Sequence, residues 1–268
     1  MKISVVTISY NQDKFLEQCI LSVKNQTYKN FEHIIVDAGS SDRSRKIIHK
    51  YKNYFSKVIF EKDRGPADGL NKGFKYATGS IYFFLNSDDL IPKNSFMLAI
   101  NEFKKNDIDC LLGSGHLIDH RNKLLKFIIP TNFSRNEFIY NSAVVFQQGC
   151  FFRNNLFKKS KKFNLKSLTC WDGELILNFK DITKKIKIST DCLGFFRIYP
   201  ESGTGSGLLK NKWKEDRARL FLKYKRRKLK KIDDVITLFY VVKKIFFNPK
   251  RTFMLIFSKI FYRNNFIH

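Results

Sequence analysis

Apolar and polar positions change period several times along the first hundred residues. Residues 3–8 are a β-branched run suited to a strand covered on both faces. Phe15, Leu16, Cys19, Ile20 and Val23 then recur at helical spacing. Residues 33–36 predict a second strand that ends at Asp37. Ser41 or Asp42 can cap the following helix, with Ile47, Ile48 and Tyr51 on its inner face. Residues 57–60 predict a third strand. Residues 66–77 predict a helix, with Pro66 in its first turn and Gly79 beyond its end. Residues 81–85 predict a fourth strand that runs into Asn86-Ser87-Asp88-Asp89.

Alternation of strand and helix implies a parallel sheet with right-handed crossovers. Ligands of such sheets bind beyond the carboxyl ends of the strands. Asp37, Asp63 and the Asp88-Asp89 pair each lie just past a predicted strand, so three acidic loops should meet at one edge. The sequence has no G-x-G-x-x-G and no G-x-x-x-x-G-K-[ST], which disfavours dinucleotide-type and P-loop phosphate sites. Past residue 107 the pattern is mixed. Strands are expected at 109–113, 123–129 and 186–188, with a strand-rich patch at 141–153 followed by a Lys-rich loop. A short helix is expected at 171–179 and a flexible Gly-rich loop at 203–207. The expected class is α/β, a mostly parallel Rossmann-like sheet between helices.

At 268 residues and 43% hydrophobic, the chain can bury a sizeable core. Its net charge of +26 calls for anionic partners: nucleic acid, acidic lipid or phosphorylated substrates. Residues 208–268 hold 18 of the 50 Lys and Arg but 4 of the 24 acidic residues, so much of the excess is local. Five cysteines without a C-x-x-C pair argue against a disulfide framework or structural zinc and fit a reducing compartment. The five histidines show no metal-ligand spacing. No signal peptide precedes the first strand run, and no uncharged apolar run is long enough for an ordinary membrane span.

Val5-Val6-Thr7-Ile8-Ser9-Tyr10-Asn11 resembles the opening strand and turn of glycosyltransferase family 2. So do Asp37-Ala38-Gly39-Ser40-Ser41-Asp42 and Asp63-Arg64-Gly65-Pro66-Ala67-Asp68-Gly69-Leu70-Asn71-Lys72-Gly73. Ala77-Thr78-Gly79-Ser80 and Leu85-Asn86-Ser87-Asp88-Asp89 continue the series in family order and spacing. The resemblance is strong over residues 1–95, weaker to about 205 and absent beyond. It implies the GT-A fold for residues 1–207, with a nucleotide-sugar half at 1–106 and an acceptor half at 107–207. Residues 208–268 would be a basic helical extension.

The implied enzyme is an inverting hexosyl- or N-acetylhexosaminyltransferase using a nucleotide-diphosphate sugar, a UDP-sugar before others, with Mn2+ or Mg2+. Its acceptor would be a hydroxyl of a glycan or lipid-linked molecule in bacterial surface polysaccharide, lipopolysaccharide or capsule assembly. By the same resemblance Asp89 binds the metal, and Asp88 the ribose or the metal shell. Asn86 stands where the family often has Asp. Taken alone, the Asp pair would serve as well to cap a helix near Pro92. Asp37 is expected on the base or ribose, with Thr7, Ser9 and Asn11 lining that pocket; an Asx-type turn at Gly39 is compatible with this. Asp63 and Asp68 would contact the nucleotide sugar, supported by Asn71 and Lys72.

Gln147-Gln148-Gly149-Cys150-Phe151-Phe152-Arg153 and Trp171-Asp172-Gly173-Glu174-Leu175 resemble the family's strand and helix start that carry the general base. Asp172 is the preferred base and Glu174 the runner-up. Phe195-Phe196-Arg197 and Ser202-Gly203-Thr204 resemble a block that closes over the diphosphate, with Arg197 on phosphate oxygens.

Two other readings compete. A nucleotidyltransferase of similar fold would want a Gly-rich, basic loop after the first strand, and Ser9-Tyr10-Asn11-Gln12 is not one. A nucleic-acid-binding protein would line a basic groove with aromatics, whereas most of the 28 Phe fall in strand and helix patterns, so no nucleic acid is expected. In the tail, cations interleave with apolar runs at 235–242 and 253–257. Such segments suit helices lying on an anionic membrane surface, at the inner face of the cell membrane in the cytoplasm; packing on the catalytic domain is the alternative.

Overall fold

The computed structural model describes residues 1–246 and Phe253. The apolar run at 253–257, apart from Phe253, and the cations Lys250 and Arg251 lie outside the described residues. Eight strands form one sheet: β1 (Ile3–Ser9), β2 (Phe31–Asp37), β3 (Lys57–Phe60), β4 (Ile81–Asn86), β5 (Cys110–Ile118), β6 (Leu124–Ile128), β7 (Cys150–Arg153) and β8 (Ile186–Arg197). The order is β3-β2-β1-β4-β7-β5-β6, with β8 also paired to β5. β1 to β4 are mutually parallel, β7 is antiparallel to both neighbours, and β8 is parallel to β5. The carboxyl end of β8 therefore opens on the same edge as that of β4.

The nine described helices are α1 (Leu16–Lys24), α2 (Ser44–Lys50), α3 (Pro66–Phe74), α4 (Ser95–Lys105), α5 (Arg135–Ile139), α6 (Asn154–Lys159), α7 (Trp171–Ile182), α8 (Lys210–Lys225) and α9 (Ile232–Phe246). Alternation along β1 shows why the sheet is covered twice. Val6 turns to a core shared with Leu70 and Phe74 of α3 and Leu175, Ile176 and Phe179 of α7. Ile3 and Val5 turn to the opposite core, with Cys19 of α1 and Phe96, Ile100 and Phe103 of α4. A Cβ at Gly73 of α3 would sit 2.3 Å from Val6 Cγ1, so helix and strand approach as closely as a bare backbone allows.

The expected first four strands and their parallel order are present. Three local readings are corrected. The helix expected over 66–77 ends at Phe74, whose successors turn to meet β4. The expected Lys-rich loop after β7 begins with α6, pinned by buried Leu156 and Phe157. The strand expected at 186–188 continues to Arg197, because pairing with β5 carries it through polar Ser189, Thr190 and Asp191.

α8 and the first turns of α9 pack on the rest of the molecule. Phe221 is fully buried with Ile139 and Tyr140, beside Ile236 and Tyr240. Arg227 pairs with the buried Asp233 at 2.6 Å. No helix among the described residues is long and apolar enough to cross a membrane.

Candidate active site at the carboxyl edge of the sheet

Strand register sets this site. Ser9 of β1 lies opposite Asp37 of β2, Ile8 opposite Asn86 of β4, and Asp37 opposite Phe60 of β3. The loops bearing Asp37, Asp63 and Asp88 with Asp89 consequently leave one edge, as the strand pattern requires.

Asp37 is fully buried. Its Oδ1 accepts from Gly39 N at 3.2 Å, Ser40 N at 3.0 Å and Arg45 Nε at 2.9 Å. This is the Asx-type turn, closed by Gly39 at φ 102. Ser40 Oγ accepts from Asn11 N at 2.9 Å, and Asn11 Oδ1 accepts from Ser41 N at 2.9 Å. Asn11 thus ties the β1 and β2 loops together. Ser9 Oγ is buried at the end of β1 with no protein partner among the described residues. Such an orphaned hydroxyl is costly unless a ligand or water meets it.

Thr7 does not line the edge. It is fully buried, and its Oγ1 lies 2.8 Å from His33 Nε2. Burial holds His33 down to about 3, so the pair is a neutral core hydrogen bond.

Asp63 Oδ1 accepts from Gly65 N at 2.9 Å, and burial raises its carboxyl above the usual range. Asp68 accepts from Arg64 N at 3.1 Å and pairs with Lys72 at 3.7 Å. Lys72 also donates to Lys62 O at 2.5 Å and pairs with Glu61 at 2.8 Å, clamping the loop onto α3. Asn71 clips the backbone of Phe163, donating to its carbonyl at 2.9 Å and accepting from its N–H at 3.2 Å. Asn71 and Lys72 therefore support the loop, and their polar atoms are engaged by protein.

The two adjacent carboxylates differ. Asp89 is fully buried, and it accepts from Gln148 Nε2 at 2.7 Å and from Arg197 N at 2.9 Å. Burial, then the charge of Asp88, pushes it well above the usual range. The oxygens of Asp89, expected on the metal, are thus enclosed and engaged by protein in this structure. Asp88 is partly exposed, and its Oδ2 lies 3.2 Å from the Tyr199 hydroxyl, which is also 3.1 Å from Gln12 Oε1. Burial raises Asp88 as well.

Arg197, expected on phosphate oxygens, is held by protein groups in this structure. It is fully buried, with Nε donating to Asp88 O at 2.8 Å, Nη1 to Asn122 Oδ1 at 2.6 Å and Nη2 to Gln18 Oε1 at 3.1 Å. Its guanidinium also lies 4.4 Å from the Phe15 ring centroid. It buttresses the Asp88 turn from behind and offers no free fork to phosphate. Tyr199, two residues on, is the group that reaches Asp88. Its only sequence signal is that it follows the Phe195-Phe196-Arg197 block.

On the acceptor side, Trp171 packs 5.7 Å from the ring of Phe84 and 5.6 Å from Phe163. The first turn of α7 thereby lies against β4, the strand that ends in the Asp88 loop. Asp172 is partly buried and accepts from Gly173 N at 2.7 Å. Burial pushes its carboxyl up to about 6, suited to a proton acceptor near neutral pH. Glu174, the runner-up, is 1% exposed and bound by Arg219, by Asn164 Nδ2 at 2.7 Å and by Lys223 at 3.7 Å, which favours Asp172.

Among the described residues no group of three or more His, Cys, Asp or Glu is arranged to hold a metal ion. A divalent ion on a diphosphate needs less, because Mg2+-like ions keep water and take one or two carboxylates plus phosphate oxygens. Asp88, partly exposed beside the end of β4, fits that donor set.

The chain is 30% identical over 143 residues to an Escherichia coli UDP-Glc:alpha-D-GlcNAc-diphosphoundecaprenol beta-1,3-glucosyltransferase, covering 53% of this chain and 56% of that one. It is 31% identical over 200 residues to the poly(ribitol-phosphate) beta-glucosyltransferase of Bacillus spizizenii, covering 71% of this chain and 31% of that one. The chain thus spans less than two thirds of these relatives. The structure superposes on S. aureus TarS 1-349 in complex with UDP-GlcNAc with a TM-score of 0.65 at 19% identity, covering 92% and 73% of the two chains. A mannosyltransferase of Pyrobaculum calidifontis, solved with GDP-Man and Mn2+, gives 0.62 at 15% identity, covering 96% and 73%. These likenesses show the GT-A fold. The model of the family Glycosyl transferase family 2 matches residues 4–163, over half of the chain and all three acidic loops. The chain therefore belongs to glycosyltransferase family 2.

Proposed function

We propose that this chain is an inverting transferase that moves a hexosyl or N-acetylhexosaminyl group from a UDP-sugar to a hydroxyl of a glycan or lipid-linked acceptor. The observation that carries this reading is the partly exposed Asp88 at the shared edge of β1, β2 and β4, beside the orphaned Ser9 hydroxyl. Ser9, Asp37 and Asn11 would form the nucleoside end of the cleft, partly through backbone groups, and Asp63 and Asp68 the sugar end. Asp88 would hold a Mn2+ or Mg2+ ion, which neutralises the diphosphate leaving group when bound.

Asp172 would take the acceptor hydroxyl proton as that oxygen bonds to the anomeric carbon. The bond from that carbon to the diphosphate breaks with its electron pair leaving on the nucleotide. Attack opposite the leaving group inverts the anomeric centre. The E. coli relative's lipid diphosphate acceptor and the Bacillus relative's polymer support a role in bacterial surface polysaccharide, capsule or lipopolysaccharide assembly. A lipid-linked acceptor would suit an enzyme working at the cytoplasmic face of a membrane, and the basic tail with exposed apolar groups on α9 supports a peripheral contact.

The test is a melting panel of UDP-, GDP- and dTDP-sugars with and without Mn2+. A UDP-sugar should raise the melting temperature, and more so with the metal. Folded protein that responds to none of them would overturn the proposal.

A further inference from the structure

α8 lies beyond the residues that match the family model, yet it grips the segment that leads into α7. Asp216 is 2% exposed. Its Oδ2 accepts from Leu168 N at 2.9 Å, Thr169 N at 2.7 Å and Thr169 Oγ1 at 2.8 Å. Its Oδ1 accepts from Arg219 Nε at 3.0 Å and Nη2 at 2.8 Å, and the same Nη2 reaches Glu174 in α7. Lys223 adds a second cation 3.7 Å from Glu174. Two buried carboxylates and two cations thus form a neutral bridge between the helices.

The need for the bridge is visible in α7 itself. Its N-cap, Cys170, makes no side-chain cap bond. The first turn is held by Asp172 on Gly173 N and by Asp216 on the two N–H groups just upstream. Part-buried N–H groups of this kind lose a hydrogen bond when such an acceptor is removed.

We propose that Asp216 and Arg219 of α8 are positioning residues for transfer: they fix the 168–170 segment and the first turn of α7, and so aim the Asp172 carboxylate at the acceptor oxygen. This rests on the reading of Asp172 as the base. A catalytic group displaced by about 1 Å can lose about 100-fold in rate, so a helix outside the cleft can control turnover through this bridge. The titratable groups that sense Asp172 are Cys150 on β7 and Cys170 ahead of α7. Cys150 is raised by its bond to the Cys110 thiol and by burial, and Cys170 is pushed up to about 12 by burial, so both stay protonated at neutral pH. Release of the bridge lets water reach Asp172, and its carboxyl moves down from about 6.

The experiment uses the full chain. UDP binding is measured by calorimetry, and turnover as hydrolysis of the UDP-sugar that stabilises the protein in the melting panel, with water as the acceptor that loses its proton and UDP as the leaving group, across pH. Asp216→Ala should bind UDP unchanged, lose about 100-fold in kcat, and move the acid limb of its pH profile below pH 6. Asp216→Asn, which keeps an oxygen for the two N–H groups, should recover part of kcat. An Asp216→Ala protein that binds UDP and keeps both kcat and the acid limb overturns the proposal. If that variant does not fold, Arg219→Lys decides: a lowered kcat with a shifted limb supports the bridge, and an unchanged profile overturns it. Failure of the base itself is separate, because Asp172→Asn would then keep normal turnover whatever α8 does.

Discussion

Asp88 and Asp89 are joined by one peptide bond, yet the turn after β4 leaves Asp88 partly exposed and buries Asp89 fully. Their chemistry follows from that. Asp88→Asn should abolish the Mn2+-dependent part of donor stabilisation and leave the unliganded melting temperature nearly unchanged. Asp89→Asn should do the reverse. An amide there can still accept from Arg197 N but turns its NH2 against Gln148 Nε2, which leaves a buried donor unmet. The expected loss is about 1–3 kcal/mol, read from a denaturant midpoint. Asp172 has its own signature. It must be ionised to accept a proton, and its carboxyl is raised to about 6, so kcat should rise through pH 6 and fall below it. Asp172→Asn should keep donor binding and lose transfer; normal turnover in that variant would remove Asp172 from the role. The sequence located these acids at strand ends, because a period-two pattern shows where a strand stops. It could not show which of two neighbours is enclosed. Gln148 and Arg197 come from strands and turns 59 and 108 residues away, and only their arrival closes Asp89.

Helices and strands were most legible where local pattern and tertiary pairing agree. β1 to β4 have β-branched or aromatic runs bounded by polar turns, and all four appear in the expected parallel order. β8 was foreshortened in the sequence because Ser189, Thr190 and Asp191 break its apolar run, and only the partner β5 sustains it. α6 is hidden because only two of its six residues, Leu156 and Phe157, are buried, beside two asparagines and two lysines. α3 is a sharper case, since its glycines lower helix propensity while its packing requires them. Gly73→Ala would place a methyl 2.3 Å from Val6 Cγ1, and overpacking of this kind costs about 1–3 kcal/mol. Val6→Ala in the same protein removes the colliding methyls, so the double variant should lose less stability than the two single losses summed. Additive losses in thermal or urea unfolding would mean that helix and strand separate freely, contrary to this packing.

Charge and apolar exposure combine at the scale of the whole molecule. Asp233, Ile236 and Tyr240 turn one side of α9 to the protein. Ile232, Val235, Phe239, Val242 and Phe246 line another side at helical spacing and stay exposed, Phe239 at 63% and Phe246 at 76%. Lys228, Lys230 and Lys231 precede this stripe, and Lys243 and Lys244 follow within it. α9 thus packs on the rest of the molecule through one face and leaves the other exposed, and the membrane reading concerns that second face. A stripe of this kind flanked by cations fits the headgroup region of an anionic bilayer, where each nearby Lys contributes about 1 kcal/mol. The full-length protein should co-sediment with phosphatidylglycerol-containing vesicles and much less with phosphatidylcholine alone. Salt should weaken the binding, because surface attraction is screened within a Debye length of about 8 Å at physiological ionic strength. Val235→Ser, Phe239→Ser and Val242→Ser remove burial worth about 1.5–3 kcal/mol per side chain, so each should cost about tenfold or more in vesicle affinity. None of the three touches the Asp88 edge, so UDP binding should persist in the triple variant. If that variant sediments as well as the parent, or if neutral vesicles serve equally, α9 is not the membrane contact.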